Sequence, residues 1–406
     1  MRVSCLIRAA FTWGLSLAPG ALVVTADTPL FDPLDGNFDV SQYLAENAFG
    51  VLPVPIVITE PAVDGGVGAA GIFFHESDEQ RERRMDALQN TDEGAGALLL
   101  TPSASALAGA YMGNGSYFVG GGHMGFWKQG RVRYMGGGGY GDVSLDFYGT
   151  GDAPIANPIE INTEAVALLQ SLKFKLGELP VFAGVAQRYV SARLSASLAQ
   201  DSLAGHFGPD VSPEQLSDAE ETLTGDTTLS ALGLVLELDT RDNFFSPHAG
   251  YRYELEHLWY RDVLGSDIDY QLTEFSGLNY WTLTQNWRLA LRLNGQLADT
   301  DDFLPPFATP AIKLRGIPAA RYQGNAVGVL EAEVTHQINY RWSVNVFAGT
   351  GRAADAFGEL SSSDARNAGG AGFRYLIARR YGFEMGLDVA RGPEDTVFYI
   401  QAGTAW

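Results

Sequence analysis

The sequence predicts an all-β chain, a transmembrane antiparallel β-barrel of sixteen strands with fourteen as the fallback, preceded by a short N-terminal helix. Three observations carry this. Long stretches alternate apolar and polar residues with period two, the signature of strands. Aromatics gather at the segment ends: Phe126-Trp127, Tyr280-Trp281, Trp287, Tyr340, Trp342, Tyr381 and the terminal Trp406. Short turns also alternate with long polar loops, the asymmetry of outer-membrane barrels. A soluble sandwich would alternate too, with its apolar face against a second sheet; the aromatic belts and the loop asymmetry favour lipid instead.

Composition agrees. Of 406 residues, 48 are Gly, 46% are apolar and 18% are charged, with a mean hydropathy of −0.03. This excludes a disordered chain and a polytopic helical membrane protein, but not a barrel, whose spanning strands need only ~9–11 alternating residues. The formal net charge of −21 excludes nucleic acid as a partner, because phosphate binding needs a basic face.

Taken in order, Met1–Ala26 has a positive start (Arg2, Arg8), an apolar centre from Ala9 to Val24 and small residues at Thr25-Ala26. It reads as a secretory signal cleaved near Ala26, with a membrane anchor as the competing reading. The only cysteine, Cys5, leaves with it, so no disulfide or thiolate metal site is expected. Residues 27–50 form a short polar segment that carries a candidate helix from Ser41 to Asn47, able to plug or lie against the periplasmic mouth. Residues 51–406 form the barrel.

The clearest strands fall late in the chain. In 230–241, Leu232, Leu234, Leu236 and Leu238 oppose Glu237, Asp239 and Arg241. Leu289, Leu291 and Leu293 oppose Arg288, Arg292 and Asn294; Leu330, Ala332 and Val334 oppose Glu331, Glu333 and Thr335; Phe383, Met385 and Leu387 oppose Glu384 and Asp388. The terminal segment from Thr396 puts Phe398, Ile400, Ala402, Thr404 and Trp406 on one face. Counting back from Trp406 places strands near 395–406, 381–391, 367–379, 341–352, 323–339, 286–300, 267–284, 249–263, 227–243, 180–200, 158–176, 130–149, 115–127 and 101–112, with one or two more in 51–75. The short links at 246–248, 284–285, 338–339 and 378–380 then share the periplasmic side, and the long loops 201–225, 301–322 and 353–366 lie outside. The charged faces line the lumen.

Several late segments resemble the BamA/TamA-type bacterial surface antigen barrels, the family of outer-membrane protein insertases and related translocation pores. Leu314-Arg315-Gly316-Ile317 is similar to the family's [VL]-R-G-[FY] tip, and it sits in the loop between the eleventh and twelfth strands, where the family carries it. Phe347-Ala348-Gly349-Thr350-Gly351 resembles F-x-[DG]-x-G on the next strand but one, and Asp239–Asn243 followed by Ser246–Gly250 resembles a family strand end and turn. Ile317 replaces the aromatic, and Gly349 replaces the frequent Asp, which removes one usual acidic partner of the motif arginine. The resemblance implies a pore or an assembly and translocation protein, located in the outer membrane of a Gram-negative bacterium. A periplasmic POTRA repeat is a complete βααββ domain that 27–50 cannot build, so the chain reads as a barrel-only member.

Physical chemistry gives the loop an independent reading. A segment of about twenty residues with Pro305, Pro306, Pro310 and Pro318 is too long for a simple turn. If it folds inward, Arg315 needs anionic partners, and Glu331 and Glu333 are two apart on one strand face, so the expectation is that one of them pins the loop. The alternative is a solvated loop cation, with the glutamates in a lumen ladder alongside Arg288, Arg292 and Arg341.

No enzyme chemistry stands out. The histidines His75, His123, His206, His248, His257 and His336 are dispersed, and no G-x-S-x-G elbow or phosphate loop occurs. No catalytic residue, metal or cofactor is expected. Gly136–Gly139 reads as a strand with small residues. The competing class, an outer-membrane hydrolase, acyltransferase or adhesin on a barrel scaffold, has one place to sit, at His206 with Asp201, Ser202 and Asp210. Expected partners are outer-membrane lipid and lipopolysaccharide, with polypeptide substrates or small solutes; a homodimer is allowed because no accessory domain blocks the rim.

Overall fold

The computed structural model describes residues 30–32, 35–46, 51–75, 103–150, 153–196, 223–243, 246–379, 382–403 and 406. A short helix, α1 (Ser41–Glu46), precedes sixteen strands. These are β1 (Val51–Ile58), β2 (Gly66–His75), β3 (Ser103–Met112), β4 (Tyr117–Trp127), β5 (Val132–Thr150), β6 (Ala153–Lys175), β7 (Val181–Ala196) and β8 (Gly225–Asp239). The second half is β9 (Gly250–Tyr260), β10 (Tyr270–Thr284), β11 (Trp287–Asp299), β12 (Ala326–Gln337), β13 (Trp342–Ala354), β14 (Arg366–Ala378), β15 (Phe383–Arg391) and β16 (Thr396–Ala402). Each strand pairs with the next in chain order, all antiparallel in the registers given, and the sheet curls into a nearly closed barrel. The sixteen strands match the count made from the sequence, and both early strands exist within 51–75. Among the described residues no ladder joins β1 to β16, which are the two edges.

The pairing registers fix which side chains face inward. Arg188 of β7 stands opposite Leu169 of β6 and Ala231 of β8; Leu169 is opposite Gly137, Gly137 opposite Gly122, and Gly122 opposite Ala106. On the far side Arg292 is opposite Glu331, and Glu331 opposite Gly349. Directly paired residues share a face, so all of these point into the lumen. Leu232, Leu234, Leu236, Val344, Val346, Phe398 and Ile400 point outward and are exposed, an apolar band of the kind that meets lipid.

The two halves of the lumenal wall differ in chemistry. From β6 to β15 it carries cross-strand ion pairs: Arg188 binds Glu256 at 2.6 Å and also Glu274, and Lys173 at the periplasmic end of β6 binds Glu237 at 2.5 Å and Glu254 at 2.7 Å. From β2 to β5 the wall is built of small and apolar residues, apart from Arg133 at the start of β5, which binds Glu237 and Asp239. Gly120 and Gly139 illustrate why: a Cβ on Gly120 would sit 2.9 Å from the Gly138 carbonyl oxygen, and one on Gly139 would sit 2.6 Å from that of Val119. Side chains on this tightly curved stretch would collide with the neighbouring backbone. The sequence-based picture of charged lumenal faces therefore describes the later strands and is corrected for the earlier ones.

Loop 300–325, between β11 and β12, packs inside the barrel in two places. Leu304, Phe307 and Ala308 lie against Leu258, Tyr260, Tyr270 and Leu272, and Ile312, Leu314 and Ile317 lie against Val327, Val329 and Ala368. At the opposite end, the residues before α1 dock on the turns. The Arg341 guanidinium, 3% exposed, donates to Asp32 at 2.7 Å, Asp35 at 2.5 Å and Asp39 at 2.5 Å; the Val40 amide donates to the Ile377 carbonyl at 2.8 Å. Arg341 thus belongs to a clasp on the N-terminal segment and not to a lumen ladder. A second correction concerns Trp406. β16 ends at Ala402, Gly403 takes φ +79°, and the Trp406 indole turns inward instead of joining the outer aromatic belt.

Candidate functional site

The loop tip lies deep in the lumen, at the heart of a buried ionic cluster. Arg315 is 7% exposed. Its Nε donates to Glu331 Oε1 at 2.7 Å, and its Nη1 donates to Glu333 Oε2 at 2.9 Å and to Asp388 Oδ2 at 2.7 Å. The register of β12 puts both glutamates on the inward face, and that of β15 puts Asp388 there; Glu331 and Asp388 are 0% exposed. Burial of this kind is tolerated only when every charge has a partner and further hydrogen bonds complete the shells.

Those further bonds come from three strands and the chain end. Arg374 of β14 grips Asp388 through both oxygens, at 2.6 and 2.9 Å. Arg292 of β11 reaches Glu331 at 3.3 Å, and the Trp406 indole donates to Glu331 Oε2 at 2.8 Å. Asn345 donates to Glu333 at 3.1 Å and to Asp388 at 3.3 Å. Three guanidinium groups (Arg292, Arg315, Arg374) thus meet three carboxylates (Glu331, Glu333, Asp388), and the cluster is formally neutral. The Phe347 ring covers the Arg315 guanidinium at 3.5 Å from its centroid, a cation–π contact strengthened by the absence of water.

The glycines of the two motifs serve close approach. Gly316 has φ +95°, and a Cβ there would meet the Gly392 amide nitrogen at 3.0 Å; the Gly316 amide donates to the Tyr399 hydroxyl at 2.9 Å. A Cβ on Gly349 would stand 2.5 Å from Leu314 Cδ1 and 2.9 Å from the Leu330 carbonyl oxygen, and one on Gly351 would stand 2.5 Å from Ile312 Cγ2. Gly349 and Gly351 are the floor on which the loop rests. An aspartate at 349 would collide with Leu314, and Asp388, two strands farther on, supplies the third carboxylate instead.

The structure therefore brings together Leu314, Arg315, Gly316, Ile317, Glu331, Glu333, Phe347, Gly349 and Gly351. Sequence reasoning missed Asp388, Arg374, Asn345, Tyr399 and Trp406 as members of the cluster. Alternation had already set Asp388 on the polar face of its strand; what was absent was the cross-barrel distance. The loop containing His206, Asp201, Ser202 and Asp210 lies outside the described residues.

Residues 179–309 match the model of the Omp85 superfamily domain. The match covers about a third of the chain, from β7 to the loop after β11. Two solved structures share its fold. BamA from Haemophilus ducreyi lacking POTRA domains 1–3 aligns with a TM-score of 0.51 at 12% identity, covering 86% of this chain and 69% of that one. CdiB from Escherichia coli aligns with a TM-score of 0.53 at 10% identity, covering 86% of this chain and 62% of that one, so the present chain spans less than two thirds of CdiB. No curated protein matches the sequence. The matched domain runs from the periplasmic end of β7 through β11 into the inward loop; of the Arg315 cluster it contains Arg292 alone.

Proposed function

We propose that this Omp85 barrel is a non-enzymatic outer-membrane protein that inserts or translocates polypeptide, and that loop 300–325 is its lumenal gate, pinned by Arg315. The observation that supports this best is the three-carboxylate seat of Arg315, built from β12 and β15 around a loop that enters from the other end of β11. A guanidinium held by three carboxylates and an aromatic ring has no reacting group beside it and no open coordination position. Its chemistry is mechanical: it fixes a loop in one of two places. Resemblance of the Leu314–Ile317 and Phe347–Gly351 motifs to the surface antigen barrels points to polypeptide as the cargo.

The free edges of β1 and β16 support the same reading. Pro55 in β1 pairs with Ala69 of β2 yet has no N–H to give, so its ladder-incompatible side faces away from β2, toward the open edge. An edge stripped of a donor resists a complete ladder with β16 and leaves a seam where a substrate strand can add.

Planar bilayer recording tests the gate. Deleting residues 308–320 is expected to raise single-channel conductance, and depleting the protein in its host is expected to lower the content of other outer-membrane barrels. A deletion variant that conducts as the intact barrel does, or a silent barrel with esterase or protease activity, refutes the proposal.

A further inference from the structure

The lumenal wall from β2 to β5 is largely apolar, and a water-filled pore has no reason to be. On β5 the inward positions between Arg133 and Phe147 carry no ionisable group, and Met135 and Leu169 are 52% and 47% exposed although they point inward. Apolar surface left open to water on this scale marks a binding site. Two cavities lie along it. One of about 760 Å³ runs over Gly137, Gly139, Val143 and Leu169 as far as Arg188 and Phe307. The other, about 440 Å³, shares Leu145, Leu169, Arg188 and Phe307 with the first and ends at Lys313 of the inward loop. Joined at those residues, they form one elongated space in the size range of small-molecule sites.

Charge selects the occupant. Of the two cations at this space, Arg188 is taken up by Glu256 and Glu274. Lys313 has no carboxylate within 4 Å among the described residues; only its carbonyl is engaged, by Arg292. Glu274, the carboxylate that shares this end of the cavity with Lys313, is itself held by Arg188 and Gln296; an aliphatic trough that ends at an ammonium with no direct carboxylate contact fits an anion with a long alkyl tail.

We propose that the lumen binds a single-chain anionic amphiphile, a long-chain carboxylate, with its alkyl chain along the β4–β6 wall and its head on Lys313. The proposal rests on the loop being seated in the lumen, as in the reading above, since the loop carries Lys313. A small-residue wall suits the task because the missing side chains leave an alkyl-wide channel, and an apolar ligand restores the contacts that the wall forgoes.

The test uses the full barrel in phosphatidylcholine nanodiscs and radiolabelled dodecanoate, with uptake by empty discs subtracted. One saturable site per barrel is expected. Lys313→Gln, which removes a charge-assisted contact, and Leu169→Gln, which sets a polar amide against the alkyl chain, should each weaken it by about tenfold, while heat-modified gel migration shows both variants folded. Dodecyltrimethylammonium, with the same tail and the opposite charge, should not compete. Absence of saturable uptake, as in a lumen already filled by another segment of the chain, overturns the proposal, as does wild-type affinity in Lys313→Gln or equal competition by the cation. Conductance of the same discs fused to planar bilayers keeps the two ideas apart: failed dodecanoate binding with an intact loop-deletion response removes the ligand alone, whereas an absent response removes the gate as well.

Discussion

Replacing Arg315 with Ala removes one cation from a neutral cluster of three and three. Glu331 keeps Arg292 and the Trp406 indole, and Asp388 keeps the two-pronged contact with Arg374, but Glu333 retains only the Asn345 amide. Removing one partner of a buried ion pair costs ~3–5 kcal/mol. Because two of the three carboxylates keep a guanidinium, the lower end, about 3 kcal/mol, is the expected loss for the seated loop. At about 1.4 kcal/mol per decade this raises the population of the unseated loop roughly a hundredfold. Trypsin reads the change directly, since Lys313 and Arg321 flank the substitution and remain as cleavage sites. When opening is fast relative to cleavage, the cutting rate follows the open population, so cleavage in 313–321 should accelerate by about two orders of magnitude. Arg315→Lys, which keeps the charge and loses the fork, should fall between the two. Equal cleavage rates for Arg315→Ala and the native barrel would refute the claim that this cluster holds the loop.

Further outcomes follow from contacts around the same loop and at the opposite end. Gly349→Val should unseat the loop much as Arg315→Ala does, because its Cβ meets Leu314 Cδ1; Leu314→Ala in the same chain should restore part of the protease resistance. Asp388→Asn leaves Arg315 and Arg374 facing each other with half their anionic shell gone, and a loss of about 3 kcal/mol should appear as a lower unfolding midpoint in urea. Arg341→Ala takes one of two guanidinium groups from Asp32, which keeps Arg379, and leaves Asp39 with the Arg379 and Ser41 amides, and hydrogen exchange of residues 35–43 should rise. The Arg341 guanidinium beside Asp35 holds its carboxyl well below the usual carboxylate range. A depressed carboxylate stabilises above its unfolded pKa of ~3.9, so docking measured by exchange should be constant from pH 8 to 5 and weaken only below about pH 4.

Much of this barrel was legible because alternation is a local property. Strands β8, β11, β12 and β15 write their inward face in Arg, Glu and Asp, and a period of two needs no knowledge of neighbours. The site was legible only in part. Glu331 and Glu333 sit sixteen and eighteen residues from Arg315 on the next strand, within reach of a sequence argument. Asp388 is seventy-three residues away and Trp406 ninety-one, and only the closing of the sheet brings them to the same guanidinium. The early strands misled for a different reason. Gly and Ala at Ala106, Gly122 and Gly137 do not differ enough from their outward neighbours for alternation to show, so a wall without charge was read by extension from walls that have it. The terminal strand stops short of the sequence-based expectation: β16 ends at Ala402, Gly403 takes a positive φ, and the Trp406 indole donates to Glu331 inside the barrel.

The uneven wall also makes the barrel mechanically lopsided. Strands β7 to β15 are stapled across the lumen by guanidinium–carboxylate pairs, whereas neighbouring strands from β2 to β5 are held on their inner side by main-chain hydrogen bonds alone among the described residues. Such a cylinder does not flex evenly under lateral load. Its stiff arc keeps its shape while the compliant arc, which ends at the open edge of β1, takes up the strain, so widening the pore would peel the early strands before it disturbed the ionic frame around the loop.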